Sequence, residues 1–213
     1  MKNRDGKMQY TLANAAEFSD MMAQRMGWSS YGDKQYVPHV LQYYAFGRIP
    51  TGIGNQAIVQ VAASQEGKGG TTYWSWYGFD SRVEWCACFV SWCADQVGYI
   101  EEGKTPKFSA CTDGINWYKE KGLWFENSND FFPISGDIIF FDWKNKTTGE
   151  QDGISDHVGI VKSYDFESRT IHTIEGNSGD ECRERTYNKD DVQILGFGSN
   201  RIQSIQEIDS SIT

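Results

Sequence analysis

The chain has little of several things. Among its 213 residues no stretch approaches the roughly 18 consecutive apolar residues that a membrane-spanning helix needs. Positive charge is scarce: 20 Lys and Arg stand against 29 Asp and Glu, for a net charge of −9. That argues against nucleic acid as a partner, because affinity for nucleic acid rests on basic contacts. Met1 to Gly6 has neither an apolar run nor a cleavage site, so no signal peptide is expected. Internal repeats and low-complexity tracts are absent. Histidine is limited to His39, His157 and His172. The five cysteines, Cys86, Cys88, Cys93, Cys111 and Cys182, are an odd number, so at least one is unpaired within the monomer. They lack the two paired spacings of a zinc framework. Cys111 and Cys182 fall in predicted loops and are candidates for pairing in an oxidising compartment.

A core is affordable, with 39% hydrophobic and 15% aromatic residues. The most informative stretch is Trp85-Cys86-Ala87-Cys88-Phe89-Val90-Ser91-Trp92-Cys93-Ala94. Val90, Cys93, Ala94 and Val97 recur at helical spacing, which predicts an amphipathic helix with Cys86 in its first turn. Unpaired N–H groups and the positive end of the helix dipole favour a thiolate there, and the thiolate is the competent nucleophile. Cys88 and Cys93 read as small buried hydrophobes. His157 opens a predicted strand, His157–Tyr164, and a turn at Asp165–Arg169 leads into a second, Thr170–Glu175. Glu175 and Asn177 then stand level with His157 and share a side of their strand if alternation continues. Either can orient the imidazole and stabilise its protonated form. His172 is out of phase with Glu175, and His39 reads as a surface or packing residue.

These residues resemble the CHAP domain, the cysteine- and histidine-dependent amidohydrolase/peptidase family of bacterial cell-wall hydrolases. The likeness is carried by Trp85-Cys86-Ala87-x-Phe89-Val90, by Asp156-His157-Val158-Gly159-Ile160-Val161, by Glu175-Gly176-Asn177 and by Pro133-Ile134-Ser135-Gly136-Asp137. It implies Cys86 as nucleophile, His157 as base, and Glu175 with Asn177 as orienting residues; a carboxylate stabilises imidazolium better than an amide, so Glu175 is favoured as the direct partner, with Asn177 the close alternative. It implies a papain-like α+β fold, with N-terminal helices packed on an antiparallel β-sheet. The substrate would be peptidoglycan and the site of action extracellular or the cell wall, reached by a lysis system, by another module, or because the chain is a piece of a longer secreted protein. An endopeptidase cut within the peptide stem or cross-bridge is the first reading; an N-acetylmuramoyl-L-alanine amidase cut is the alternative. A non-catalytic wall-binding module and an intracellular thiol enzyme are the rival classes. No cofactor or metal is expected, since the loop before Cys86 offers only Asp80 and Glu84 where calcium needs six to eight oxygens. The acidity also argues against plain electrostatic adhesion to anionic wall polymers.

Along the chain, residues 1–47 read as a helical extension, with Gly27 to Tyr44 similar to the end of the lysozyme-like muramidase domain that precedes CHAP domains in some bifunctional enzymes. Residues 48–55 form a linker rich in Gly and Pro, 56–199 the catalytic domain, and 200–213 a tail. Helices are expected at Gln56–Gln65 and near Asp113–Lys121, and further strands at Asp137–Trp143 and Val192–Phe197. Between the first helix and Cys86, residues 69–79 read as an aromatic loop. Its Trp74, Trp76 and Tyr77, with Trp85, are candidates to line a substrate groove, because rigid, half-polar rings stack well on sugars and peptide stems. Gln65 is a candidate second oxyanion donor.

Overall fold

The computed structural model describes residues 53–145 and 147–199. The expected helical extension 1–47, with His39, and the tail 200–213 lie outside the described residues. Among the described residues four helices come first: α1 (Ile53–Ala63), α2 (Thr71–Tyr77), α3 (Cys86–Gln96) and α4 (Cys111–Glu120). Six strands follow: β1 (Trp124–Glu126), β2 (Ile138–Phe141), β3 (His157–Asp165), β4 (Thr170–Glu175), β5 (Arg183–Asn188) and β6 (Ile194–Gly198). They form one antiparallel sheet in the order β1-β6-β2-β3-β4-β5. The α+β, papain-like architecture expected from the sequence is the one observed.

The sheet buries both faces, and its central strand shows why. Ile138-Ile139-Phe140-Phe141 is apolar at every position and buried at every position. Ile138 and Phe140 enter the core beneath the helices, whereas Ile139 and Phe141 enter a second, aromatic core with Phe131 and Phe197. A continuous apolar run is what a strand covered on two sides requires. Helix α3 is the main filler of the first core. Ala87, Cys88, Phe89, Val90, Cys93 and Ala94 are all fully buried, so nearly every turn contributes apolar area.

Three elements depart from expectation; one is β1, a three-residue strand outside the four expected. Residues 71–77 are the short helix α2, not a loop. Its sequence Thr-Thr-Tyr-Trp-Ser-Trp-Tyr has no strong helix former, and tertiary packing decides instead. Tyr73 is fully buried, stacked on Trp85 with ring centroids 5.3 Å apart and edge-on to Phe89 at 5.1 Å. Gly78, at φ 119°, then ends the helix in the left-handed conformation that suits glycine. Strand β5 was also unexpected. Its sequence Arg-Glu-Arg-Thr-Tyr-Asn is mostly charged and polar, and its side chains alternate between half-buried and exposed. It lies at the sheet edge, where charge discourages pairing with another chain.

The helix and sheet layers approach closely at Gly176, just after β4. A Cβ there would lie 2.8 Å from Trp85 and closer still to the Cβ of Phe89, an atom fixed to the α3 backbone. Gly176→Ala should therefore destabilise the fold by about 1–3 kcal/mol through overpacking, read as a lower midpoint in thermal unfolding. An unchanged midpoint would mean that α3 has freedom to shift.

Candidate active site

Cys86 is the first residue of α3. Trp85 before it has a non-helical backbone (φ −119°, ψ 12°), and no side chain caps the helix. The first N–H groups of any helix lack intrahelical partners, so this end keeps its donors for a ligand or a charge. The entry is rigid because Trp85 is fully buried. Its ring stacks on Tyr73, and its Nε1–H donates to Asp180 at 3.4 Å.

His157 is the first residue of β3 and is 7% exposed. The connection from β2 is closed just before it. Asp156 N–H donates to the Phe141 carbonyl at 2.8 Å, and the Ser155 hydroxyl bonds to the carbonyls of Phe141 and His157 at 3.0 and 3.1 Å. The imidazole lies against the rings of Phe141 and Trp143, with centroids 6.0 and 5.8 Å away. Its Nε2 is 2.9 Å from Oε2 of Glu175, which leaves Nδ1 for Cys86. Glu175, the last residue of β4, is 1% exposed. Its other oxygen accepts the Thr173 hydroxyl at 2.6 Å. Gly159 makes room for this carboxylate, since a Cβ there would lie 2.7 Å from Cγ of Glu175.

The charges follow from these contacts. The Cys86 thiol is held well below the ordinary thiol range. A hydrogen bond with Cys111 is the largest cause, burial opposes it, and the hydrogen bond and charge of His157 and the Val158 N–H add to it. His157 is pushed up to about 9. Burial alone would lower it, but hydrogen bonds and charges from Cys86 and Glu175 outweigh burial. Over the interval between the two, the stable state is thiolate with imidazolium. Burial instead drives Cys88 up to about 11 and Cys93 well above its ordinary value, so both stay neutral thiols.

The other expected site residues fall elsewhere. Asn177 does not reach His157 among the hydrogen bonds of its side chain. Strand β4 ends at Glu175, and Asn177 has φ 59°, so strand alternation stops before it. Its amide donates to Glu84 and accepts from Arg82 at 3.5 Å. Trp85 presents no ring to a groove, because it is fully buried. Trp74 is half-buried against the helix-side core. Trp76 and Tyr77 are half-buried and share Lys107, whose Nζ lies 4.5 and 4.9 Å from their ring centroids. Gln65 has both ends engaged: its amide donates to Val61 and Ser64, and its carbonyl accepts from Tyr73 and Lys68. Cys111 and Cys182 are not a pair. Both are free and buried, Cys111 at the start of α4 beside Cys86, Cys182 with its thiol donating to the Tyr73 hydroxyl at 3.3 Å. Among the described residues no group of three His, Cys, Asp or Glu is arranged to hold a metal ion, and no helix is long and apolar enough to cross a membrane.

Sequence reasoning missed a cleft whose lining includes Ser155, two residues before His157. It encloses about 310 Å³ between α4, β1 and the loop at Gly153–Ser155. Trp124 forms a wall, its Nε1–H donating to Glu126 at 2.7 Å, with the Lys119 ammonium 5.5 Å from its ring. Ile154, one of two large hydrophobic side chains exposed among the described residues, stands on its rim. A tryptophan entering a short strand carries no sequence signal that separates a cleft wall from a core residue.

Comparison with known proteins bears on the same residues. The family model described as "CHAP domain" matches residues 76–177, a span that contains Cys86, His157, Glu175 and Asn177. A 43-residue segment, 20% of the chain, is 49% identical to the "Bifunctional muramidase/DL-endopeptidase CwlT" of Bacillus subtilis (strain 168). That segment spans only 12% of the relative's length. Two solved structures of Ly7917 are similar over 69% and 68% of this chain and 62% of theirs, at 14% and 15% identity and TM-scores of 0.44 and 0.41, the second being titled as holding "the hydrolyzing product of MDP". With the helix-borne cysteine, the strand-borne histidine and the buried carboxylate inside the matched span, residues 76–177 of this chain are a CHAP domain.

Proposed function

We propose that this chain is a peptidoglycan hydrolase that cleaves an amide bond through a Cys86 thiolate and His157. The observation that carries this reading is the buried array at the junction of α3, β3 and β4: a thiol with a lowered pKa, an imidazole raised to about 9, and a carboxylate 2.9 Å behind it. In the resting enzyme the thiolate faces the imidazolium. The thiolate attacks the substrate carbonyl, forming the C–S bond and moving an electron pair onto oxygen. The N–H groups at the start of α3 stabilise that oxyanion. The C–N bond breaks as His157 gives its proton to the leaving amine. Water then attacks the thioester, His157 taking its proton, and the thiolate is regenerated. Glu175 touches only the imidazole and acts as a positioning residue: it fixes the tautomer and stabilises the imidazolium.

The preferred bond lies in the peptide stem or cross-bridge. Muramoyl-L-alanine amidase specificity on the same site is the alternative, since one fold hosts both. The cleft along Trp124, Lys119 and Glu126 supports a peptide, because an aromatic wall between an ammonium and a carboxylate suits a stem bearing both charges. Trp76 and Tyr77 remain candidates for the other side of the dyad. A peptidoglycan substrate implies action outside the cytoplasm. The curated relative is named as a bifunctional muramidase, which supports an upstream muramidase module as a partner of this domain.

Purified sacculi test the reading directly. The protein should release new free amines, with a single cleavage site by mass spectrometry. Cys86→Ala should lower the rate at least about 1,000-fold, and Cys88→Ser should keep most of it. Release of sugar ends alone, or full activity in Cys86→Ala, would overturn it.

The pH profile should be a bell whose limbs belong to the coupled pair. Cys86 must be ionised and His157 protonated, so the rate climbs at acid pH, well below the ordinary thiol range, and falls as pH passes about 9. A falling limb near neutrality would mean that Glu175 does not support the imidazolium. Glu175→Gln should cut kcat roughly 10- to 100-fold and draw the alkaline limb to lower pH, as expected for losing one charge-assisted hydrogen bond. Asn177→Ala should leave that limb in place, because its amide engages Glu84 and Arg82. Equal shifts from the two variants would refute this division of roles.

A further inference from the structure

Strand β4 places Thr173 two residues before Glu175, so both side chains leave the same face of the sheet. Thr173 is fully buried and Glu175 is 1% exposed. The Thr173 hydroxyl donates to Oε1 of Glu175 at 2.6 Å, while Oε2 faces Nε2 of His157 at 2.9 Å. The carboxylate is thus held at both oxygens, by a hydroxyl on one and by the base on the other. Its stem lies over Gly159, where a Cβ would come within 2.7 Å of Cγ. Threonine is stiff at χ1, so the hydroxyl is itself a fixed point.

Packing alone does not call for a hydroxyl here. Thr173 stands opposite Val161 of β3, and Val161 and Ile171 belong to the second, aromatic core. A polar group in such a place needs a partner, and its partner is the carboxylate behind the base. The neighbouring charges are engaged with other groups. On β5, Arg183 stands opposite Glu175 and Arg185 opposite Thr173. The Arg183 guanidinium is bonded to Glu181, and that of Arg185 donates to Ser178 at 2.8 Å. Tyr187, further along β5, is held in its protonated form, first by burial and then by the Glu175 charge. Cys86 faces the imidazole from α3, and Asp156, next to His157, accepts the Trp143 N–H at 2.8 Å.

Losing the hydroxyl has a defined consequence. A carboxylate oxygen buried without a donor is unfavourable, and the group relieves this by turning or by taking up a proton. Either change moves negative charge away from Nε2, and the imidazolium loses support.

We propose that Thr173 is a positioning residue of the catalytic site: its hydroxyl pins one oxygen of Glu175, so that the other stays charged and in line with Nε2 of His157. This rests on reading His157 as the base and Glu175 as its orienting carboxylate.

Valine and serine separate the hydroxyl from the packing. Thr173→Val keeps the shape and loses the donor, whereas Thr173→Ser keeps the donor and loses a methyl group. The Cε1–H resonance of His157, assigned by its absence in His157→Ala, is followed by NMR from neutral pH upward in each protein. The wild-type midpoint is expected at about 9. Thr173→Val should bring it down by about half a unit to one unit. It should also lower kcat about 3- to 10-fold with KM nearly unchanged. Thr173→Ser should restore both. In a Glu175→Gln background, adding Thr173→Val should leave the midpoint where Glu175→Gln alone puts it, because the hydroxyl acts through the carboxylate. An unmoved midpoint in Thr173→Val, equal midpoints for the valine and serine variants, or full additivity with Glu175→Gln would overturn the proposal. Should Thr173→Val not fold, Thr173→Ala against Thr173→Ser makes the same comparison, and equal midpoints there overturn it as well. The titration needs no substrate, so failure of the peptidoglycan reading looks different: sacculi would stay intact while the His157 midpoints moved as expected.

Discussion

Everything at the dyad depends on how closely the start of α3 approaches the end of β4. The thiol and the carboxylate belong to segments almost ninety residues apart, and the sheet must come within side-chain reach of the helix without a side chain in between. Gly176 supplies that approach, since a Cβ on it would meet Phe89 and Trp85. Gly159 supplies the complementary space on β3, where Glu175 lies over the bare backbone. Substituting either would displace an acid or a thiol by a fraction of an ångström, and misplacement on that scale is costly in catalysis. The Val158-Gly159 and Glu175-Gly176 pairs in the sequence are therefore packing requirements of the site rather than flexible joints.

The same closeness sets the electrostatics. A thiolate, an imidazolium and a carboxylate together carry one net negative charge in a region almost closed to water. Such a group is unfavourable unless donors replace the lost solvent. They do so at both ends. Cys86 has the Cys111 thiol, His157 and the Val158 N–H at the open start of a helix. Glu175 has His157 and Thr173. The imidazolium sits between two anions, which is why burial does not win and its pKa rises.

What the sequence showed of this was uneven, for physical reasons. α3 and the β3–β4 hairpin were legible because their apolar periodicity is strong and local. The contact of His157 with Glu175 followed from strand register. Asn177 bonds to Glu84 and Arg82 rather than to His157, because alternation holds only while the strand lasts and Asn177 itself is left-handed. α2 was read as a loop because its seven residues have weak helix propensity and are held by Tyr73, Trp85 and Phe89 packing together. β5 was missed because an edge strand needs neither apolar alternation nor β-branching.

Asn177 and Trp85 nonetheless bear on the site, through the loops that frame it. Arg82 bonds twice to Asp180, at 3.1 and 2.9 Å, and reaches Asn177; Glu84 accepts from Asn177; Trp85 donates to Asp180 from below. Each exposed ion pair of this kind contributes little to stability. Together they tie the segment entering α3, just before Cys86, to the segment leaving β4, just after Glu175. Trp85 is both buried in the core and bonded to this clamp. The polar clamp outside and the two glycines inside thus act on the same short distance, that between the Cys86 sulfur and the His157 ring.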